Sequence, residues 1–512
     1  MSKKVVIVGS GNAALSAGLA ALEKGADVTI YEKADKKMAG GNTKYTAGAM
    51  RFAYDNSSQL MDLLKNPNDE KIKDTDFGSY TQEKFGKDLL NFNDGRPLSH
   101  EQKILVSKSL ETMQWLSSHN VKFEPIYSRQ SFLKDGKHIF WGGLTLASEN
   151  EGVGLFDQEL DAFLSLGGKI FYESPVTNLI YEAGKVKGVY LNEEKVNADS
   201  VILASGGFEA NDELRKSYIG DNWINAKVRG TPHNTGDGLK MALEIGAVKH
   251  GLYNGCHATP MDLHMKNYGG LDLEPSERKN YRKICYFLGI MINAKGKRFL
   301  DEGKNFRNYT YAQYGKIVLD QPGHFAWQVF DSKVFDLLYE EYTFHDAHFV
   351  EADTIDDLIT KMDGVDKIET KKTITEFNNS ININTCFDPT ILDGKSTNGL
   401  EIEKSNWAQK IDKGPYRAFP VTGGITFTYG GLKVDKNGSV LDTNNNPING
   451  LFACGELVGG VFFNGYPGGS GLTSGGCFWK NGWLWFSTRR IDNEKIEGSS
   501  FRRLSKCHSS FC

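Results

Sequence analysis

Residues 3–32, KKVVIVGSGNAALSAGLAALEKGADVTIYE, constrain the fold more than any other stretch of the chain. Residues 5–8 form an apolar, β-branched run that predicts a short strand. The six residues Gly9-Ser10-Gly11-Asn12-Ala13-Ala14 match G-x-G-x-x-G/A, with Ala14 in the third small position. Residues 14–24 are Ala- and Leu-rich and predict a helix. Gly25 stands where a helix C′ residue belongs, residues 26–31 predict a second strand, and Glu32 ends it. Gly9 permits the tight turn, Gly11 lets backbone approach a pyrophosphate, and Ala14 lets helix and strand pack closely. The helix N-terminus offers unpaired N–H groups to an anion, and Glu32 offers a carboxylate to ribose hydroxyls. An ordinary βα turn would also use glycine. The preceding strand, the following helix and the acid about 20 residues on favour dinucleotide binding.

At 512 residues the chain exceeds one ordinary core, so two domains, or one with a large insertion, are expected. Apolar residues at 39% and charged residues at 24% fit a soluble globular protein. The net charge of −4 makes no electrostatic case for nucleic acid. The 56 glycines cluster in short runs, as in backbone-lined ligand sites. Seven cysteines include no C-x-x-C pair, which suits free buried thiols in a reducing cytoplasm and gives no metal site. The first strand opens at residue 3, so no leader peptide is expected. No apolar run nears the ~18 residues of a membrane span, and a cytoplasmic location is expected.

Residues 38–50, MAGGNTKYTAGAM, form a loop of glycines, hydroxyls and small residues suited to a phosphate or a flat ring. Residues 99–120 and 152–166 predict helices. Residues 169–172, 174–181 and 185–191 predict strands, with 195–196 completing a hairpin. Residues 201–211, VILASGGFEAN, predict a buried strand running into a glycine turn. Residues 230–247 repeat the loop-to-helix pattern, with Asp237 placed to cap the helix. From about His257 the chain becomes richer in Tyr, Asn and Lys, with helices predicted over 353–362 and 373–384. Residues 429–434 and 439–441 predict a hairpin turning at Lys436-Asn437-Gly438. An apolar strand ends in Gly455-Glu456, and residues 464–476, NGYPGGSGLTSGG, form the last glycine-rich loop. Residues 325–330 and 462–463 read as core or pocket wall, and residues 499–512 as a disordered end.

GSGNAAL, YEK and AGGNTKYTAGAM together resemble the flavoprotein family of fumarate reductases, tricarballylate dehydrogenases and 3-ketosteroid dehydrogenases. The resemblance spans residues 3–475. It implies an α/β fold: a Rossmann-like FAD-binding domain over 1–256 and 425–488, an inserted α+β capping domain over 257–424, and a tail over 489–512. It implies FAD, held at Gly9, Gly11, Asn12, Ala13, Ala14, Glu32 and Lys33, and by the loop Gly40, Gly41, Asn42 and Thr43. Further contacts implied are the Val176 backbone at the adenine, Ala204, Ser205, Gly206 and Asn211, then Asp237, Gly455, Glu456, Ser470, Gly471 and Leu472. Relatives with covalent flavin carry a histidine in the second loop. Here Thr43 stands there and no His occurs before residue 100, so non-covalent FAD is expected. The WGG of residues 138–145 resembles a loop near the substrate in tricarballylate dehydrogenases.

Residues 293–311, NAKGKRFLDEGKNFRNYTY, resemble the family segment in which a GKRF turn and an acid lead to an arginine. In fumarate reductases that arginine passes a proton to the substrate while the flavin passes hydride. By position it is Arg307, with Glu302 as the acid, one residue farther apart than in the family. Solvated surface charge is the alternative reading of this basic window. Arginine stays protonated in proteins, so it is an acid for reduction and a base only with help, for instance a relay through Glu302. The carboxylate-binding His and Arg of fumarate reductases correspond to Phe427 and Tyr466, which points away from fumarate or succinate held in the usual way. GYPGGSGL and AFPVTGGITFTYGGLKVD are similar to tricarballylate dehydrogenases first and ketosteroid dehydrogenases second. Tyr466 and the Gly468-Gly469 backbone are expected at a substrate oxygen, and His257 where the family carries an entrance histidine. The resemblance thus implies an FAD enzyme acting on a C–C bond beside a carboxylate or carbonyl. A tricarballylate-like substrate comes first; a ketosteroid-like or fumarate-like enzyme, or an FAD binder without turnover, is the alternative. A redox protein or quinone-linked carrier is expected to reoxidise the flavin.

Overall fold

The computed structural model describes residues 2–140, 143–269 and 281–482. The opening unit folds as predicted: β1 (Lys4–Val8), α1 (Asn12–Glu23) and β2 (Asp27–Tyr31). Val5 to Val8 are all buried, as a strand covered on both faces requires. Gly25 adopts φ 78° just past the helix and terminates it. β1 lies between β2 and Ser200–Leu203, parallel to both. The whole sheet has nine strands. Its main path runs Val176–Glu182, Lys185–Leu191, Pro447–Ala453, Ser200–Leu203, β1, β2, Lys169–Phe171. The C-terminal strand Pro447–Ala453 therefore sits inside the N-terminal sheet. In such sheets ligands bind beyond the carboxyl ends of the parallel strands.

A second sheet of six strands centres on the long strand β3 (Tyr416–Thr428). Phe325–Asp331 and Cys256–Asp262 pair with it antiparallel, and Lys227–Val228 pairs parallel. Helix α2 (Arg307–Leu319) lies directly on this sheet. A Cβ on Gly315 would meet the Thr259 nitrogen at 2.5 Å, and one on Gly423 would meet the Gly315 carbonyl at 2.3 Å. β3 runs unbroken through the boundary expected at 424/425, and Lys227–Val228 joins this sheet from before residue 257. The last helix, α3 (Ser470–Gly482), packs against α1.

Several local expectations change. The helix expected over 373–384 is Lys367–Ser380, because Asp366 caps it by accepting from the Glu369 N–H at 2.9 Å. The hairpin expected after residue 429 forms as a short one: Val434 bridges Val440 antiparallel, and the Gly438 N–H donates to the Asp435 carbonyl at 3.0 Å across the expected turn, while both arms also pair outward. Gly431–Leu432 pairs with Lys249–His250, while Ser439–Leu441 pairs with Pro447–Ala453. Asp237 opens its helix as the first residue rather than the cap, which is Gly236 in the left-handed region at φ 81°. Residues 325–330 are sheet core, with Ala326, Trp327, Val329 and Phe330 buried. The five described cysteines are in no disulfide, and Cys386 is exposed rather than buried. Cys507, Cys512 and the tail expected over 489–512 lie outside the described residues. Among the described residues no helix is long and apolar enough to cross a membrane.

Candidate active site

One cavity runs from the carboxyl ends of β1 and β2 to the start of α2 and the start of α3. At the first end Gly9 turns at φ 98°, and a Cβ there would lie 2.6 Å from the Ala204 carbonyl oxygen. Its N–H donates to the Tyr31 carbonyl at 2.9 Å. Gly11 caps α1 without any side-chain hydrogen bond, so the helix N-terminus faces the cavity. The Asn12 N–H donates to Thr43 Oγ1 at 2.9 Å. Glu32 is fixed from two sides: Ser10 Oγ donates to Oε2 at 2.5 Å and the Ala34 N–H to Oε1 at 2.8 Å. Lys33 pairs with Asp237 at 2.5 Å and donates to Thr235 Oγ1 at 2.7 Å.

Glu456 lines the middle of the wall, half-buried, and the fully buried Glu209 stands next to it. Glu209 Oε1 accepts from Asn42 Nδ2 and Asn234 Nδ2, each at 2.6 Å. Glu456 Oε1 accepts from the Thr428 N–H at 2.7 Å and from Thr428 Oγ1 at 3.1 Å. The carboxyls face each other across Gly207, where a Cβ would lie 2.0 Å from Glu456 Oε1 and 2.8 Å from Glu209 Oε2. Burial, then the neighbouring Glu209, pushes Glu456 well above the usual carboxylate range.

At the far end the wall is aromatic. Phe427, Tyr466 and Phe462 pack edge to face, with centroids 5.2 Å apart for Phe427–Tyr466 and Phe462–Tyr466. Tyr311 reaches them from α2, its hydroxyl 2.9 Å from that of Tyr466. Arg307, the first residue of α2, is one helical turn before Tyr311 and shares its face. Its Nε donates to Tyr339 Oη at 2.6 Å, and its guanidinium lies 4.8 Å from the centre of the Tyr339 ring. Burial pulls its pKa down and Tyr339 pulls it up; the net direction is upward, so Arg307 stays protonated.

The cavity wall gathers most of the expected residues: Gly9, Gly11, Asn12, Ala13, Glu32, Lys33, Gly41, Asn42, Thr43, Val176, Ala204, Ser205, Gly206, Asp237, Gly455, Glu456, Gly471, Leu472, Arg307 and Tyr466. It does not include six others. Ala14 is fully buried beneath the turn. Gly40 braces it, its N–H donating to Ser10 Oγ at 3.0 Å. Asn211, expected at the cofactor, instead caps the helix Asp212–Tyr218 by accepting from the Leu214 N–H at 3.0 Å. Ser470 is buried, and its hydroxyl donates to the Pro467 carbonyl at 2.7 Å. Glu302 is clamped by Arg298 at 2.5 Å and accepts from the Met291 N–H at 2.8 Å. It fixes the turn and touches no cavity. His257 is fully buried behind Phe427, stacked at 5.3 Å and 7°, because the two are cross-strand partners. Burial, then Arg229 and Arg282, drives its pKa well below the usual imidazole value, so the ring is neutral.

Gln130, Arg229, Arg282, Asn308 and Tyr311 line the same wall and were not expected there. Asn308 Nδ2 donates to Gln130 Oε1 at 2.9 Å, tying α2 to the first half of the chain. The adjacency of Asn308 and Tyr311 to Arg307 was their one visible signal, and the helix start carries no capping side chain to reveal it. Trp141 and Gly142 of the expected substrate loop lie outside the described residues, while Leu144 lines the cavity.

The donor set fits FAD. The first end supplies a helix N-terminus and a fixed acid. Asn12 Oδ1 and Ser205 Oγ on the same wall are buried with no hydrogen-bond partner among the described residues. A family model described as FAD binding domain (FAD_binding_2) matches residues 4–472. The chain belongs to this family. It is 28% identical to the fumarate reductase (cytochrome) of Shewanella frigidimarina over 477 residues, which covers 92% of this chain and 74% of that one. It is 24% identical to the vinyl phenol reductase of Lactiplantibacillus plantarum, covering 93% and 94% of the two chains. In fold it is similar to the open conformation of a flavocytochrome c3 fumarate reductase, with a TM-score of 0.67 at 24% identity over 94% of this chain and 77% of that one. It is also similar to 3-ketosteroid delta1-dehydrogenase from Sterolibacterium denitrificans, with a TM-score of 0.71 at 18% identity over 95% and 100%. FAD is the cofactor of this flavoprotein, and the chain is an FAD-dependent oxidoreductase acting on C–C bonds.

Proposed function

We propose that this flavoprotein reduces or desaturates a C–C bond beside a carboxylate or carbonyl, with Arg307 as the group that exchanges a proton with the substrate. The observation that carries this is the placement of Arg307: half-buried, at the start of α2, in the wall of the flavin cavity, oriented by Tyr339. When bound, FAD supplies hydride transfer at its N5. The chain's own residues do the rest. Arg307 remains cationic at working pH, so it donates a proton readily and favours the reducing direction. The start of α3, with Gly471 and Leu472 on the wall, favours negative charge at that end of the cavity. Glu302 acts by position, holding the turn that leads to α2. FAD is held non-covalently, since Thr43 hydrogen-bonds α1 and no histidine precedes residue 100. A separate redox carrier is proposed to exchange electrons with the flavin.

The relatives' names span fumarate, vinyl phenol and 4-oxocyclohex-2-ene-1-carboxylate, so they fix the bond type and leave the substrate open. A tricarballylate-like substrate stands as the second reading, because three guanidinium groups, Arg229, Arg282 and Arg307, line the cavity. Arg282 already pairs with Glu341 at 2.6 Å. The test is anaerobic. Holoprotein reduced with viologen is mixed with unsaturated acids and enones, and flavin absorbance is followed. Reoxidation by at least one activated alkene is expected, and loss of that reoxidation in Arg307→Ala with FAD retained. No reoxidation by any of them would leave an FAD binder without turnover.

A further inference from the structure

The far end of the cavity has a composition that the reaction alone does not require. Phe427, Phe462, Tyr466 and Tyr311 line it, with Ile126, Leu144 and Ile284 beside them. The rings are mutually tilted: Phe427 meets Phe462 at 5.7 Å and 64°, and Tyr466 meets Phe462 at 5.2 Å and 66°. Rings set edge to face in this way form a wall that presents both faces and edges to a flat group laid against it. The box is also held in shape. His257 stacks on Phe427 from outside the wall, and Tyr311 and Tyr466 share a hydrogen bond. The Tyr429 hydroxyl, on the same wall, is buried with no partner among the described residues, leaving a polar atom for a ring substituent. Cations border this aromatic wall: Arg229 Nη1 lies 3.5 Å from Thr426 Oγ1, next to Phe427 in the chain. Arg307 is one turn from Tyr311, a separation of about 5–6 Å between side-chain origins on a helix face, and Arg229 and Arg282 share that wall.

From this juxtaposition of ring box and guanidinium groups we infer that the substrate is a planar, ring-bearing α,β-unsaturated monocarboxylate of the 3-arylacrylate class. Its ring lies against the wall formed by Phe427, Phe462 and Tyr466, and its carboxylate lies toward the arginines. This rests on the C–C reductase reading above. With reduced FAD bound, the cofactor would supply the hydride that forms the C–H bond at the ring-side carbon. A proton from Arg307 forms the second C–H bond next to the carboxylate as the π bond breaks. The alkene gains two electrons, the flavin loses them, and Arg307 regains its proton from solvent. The electrons come from a low-potential one-electron donor, reduced methyl viologen in the test.

The test uses the FAD-loaded protein. Binding of 3-phenylpropanoate, the saturated product, to the oxidised protein is measured by calorimetry. Turnover of 3-phenylacrylate, fumarate and aconitate is measured with reduced methyl viologen. Saturable binding is expected, weakened about three- to ten-fold by Phe427→Leu or Phe462→Leu. A kcat/KM for phenylacrylate at least ten-fold above either polycarboxylate is expected, with Phe427→His narrowing that ratio. Retained flavin absorbance in each variant reports folding. Reduction of fumarate or aconitate without phenylacrylate turnover would overturn this inference and leave the C–C reductase reading intact. Absent product binding would overturn it as well. No reduction of any acid would overturn both.

Discussion

The two ends of the cavity are built on different principles. The nucleotide end is made from backbone: a glycine turn, a helix N-terminus and one acid held by two donors. The substrate end is made from large side chains that come from distant points of the chain, Tyr311, Phe427, Phe462 and Tyr466. Backbone geometry tolerates little change at the turn itself, because a Cβ on Gly9 would meet the Ala204 carbonyl oxygen at 2.6 Å. Side-chain geometry can be altered one ring at a time while the cavity persists. The first end fixes a common cofactor, and the second is free to diverge in substrate.

The sharpest test of this contrast is Gly9→Val. The added side chain collides with the Ala204 carbonyl and needs φ 98°, a strain of about 1–3 kcal/mol before the clash is counted. Purified protein is expected to be colourless and inactive; a yellow, active variant would refute the backbone account. Arg307→Ala should be next. Turnover is expected to fall about 10²- to 10⁴-fold, with the flavin spectrum unchanged, because the loss is confined to the other end.

Two buried ionisable groups, one behind each end, sharpen the comparison through pH. Glu159 is fully buried behind α1, where Ser16 Oγ donates to it at 2.8 Å, and burial pushes its pKa up to about 8. The native state then holds a proton that the unfolded chain releases above its ordinary value. Stability falls by about 1.4 kcal/mol per pH unit from that value up to the native one. Glu159→Gln should raise the melting temperature at pH 8 and change it little at pH 5. His257 has the opposite sign. Its native pKa is depressed, so its stabilising contribution is complete above the unfolded value of about 6.5 and declines as pH falls below it, again by about 1.4 kcal/mol per unit. His257→Phe should flatten the acid limb of a melting-temperature profile measured from pH 7.5 to 5. An unchanged acid limb would mean that this histidine reaches solvent.

The opening βαβ unit was readable because its information is local. Strand, turn and helix lie in consecutive residues, and Gly9, Gly11 and Glu32 act through geometry that spacing alone sets. Asn211 shows the limit of that reading. It stands beside a glycine turn in sequence, yet it caps a helix. Helix α2 was not legible at all, because its start lacks a capping side chain and its burial follows from the sheet beneath it. Glu302 could feed protons or merely fix its loop by sequence, and its clamp by Arg298 accords with the second.

What the sequence by itself determined is the cofactor: a glycine pattern, an acid and three later glycine loops can bind little else than a dinucleotide. What only the tertiary structure decided is the character of the substrate end. Phe427 and His257 become neighbours through strand register, Tyr311 through the seating of α2 on the sheet, and Tyr466 through the turn that opens α3. These contacts join residues far apart in the chain, and long-range packing, not local propensity, sets which of them share a wall.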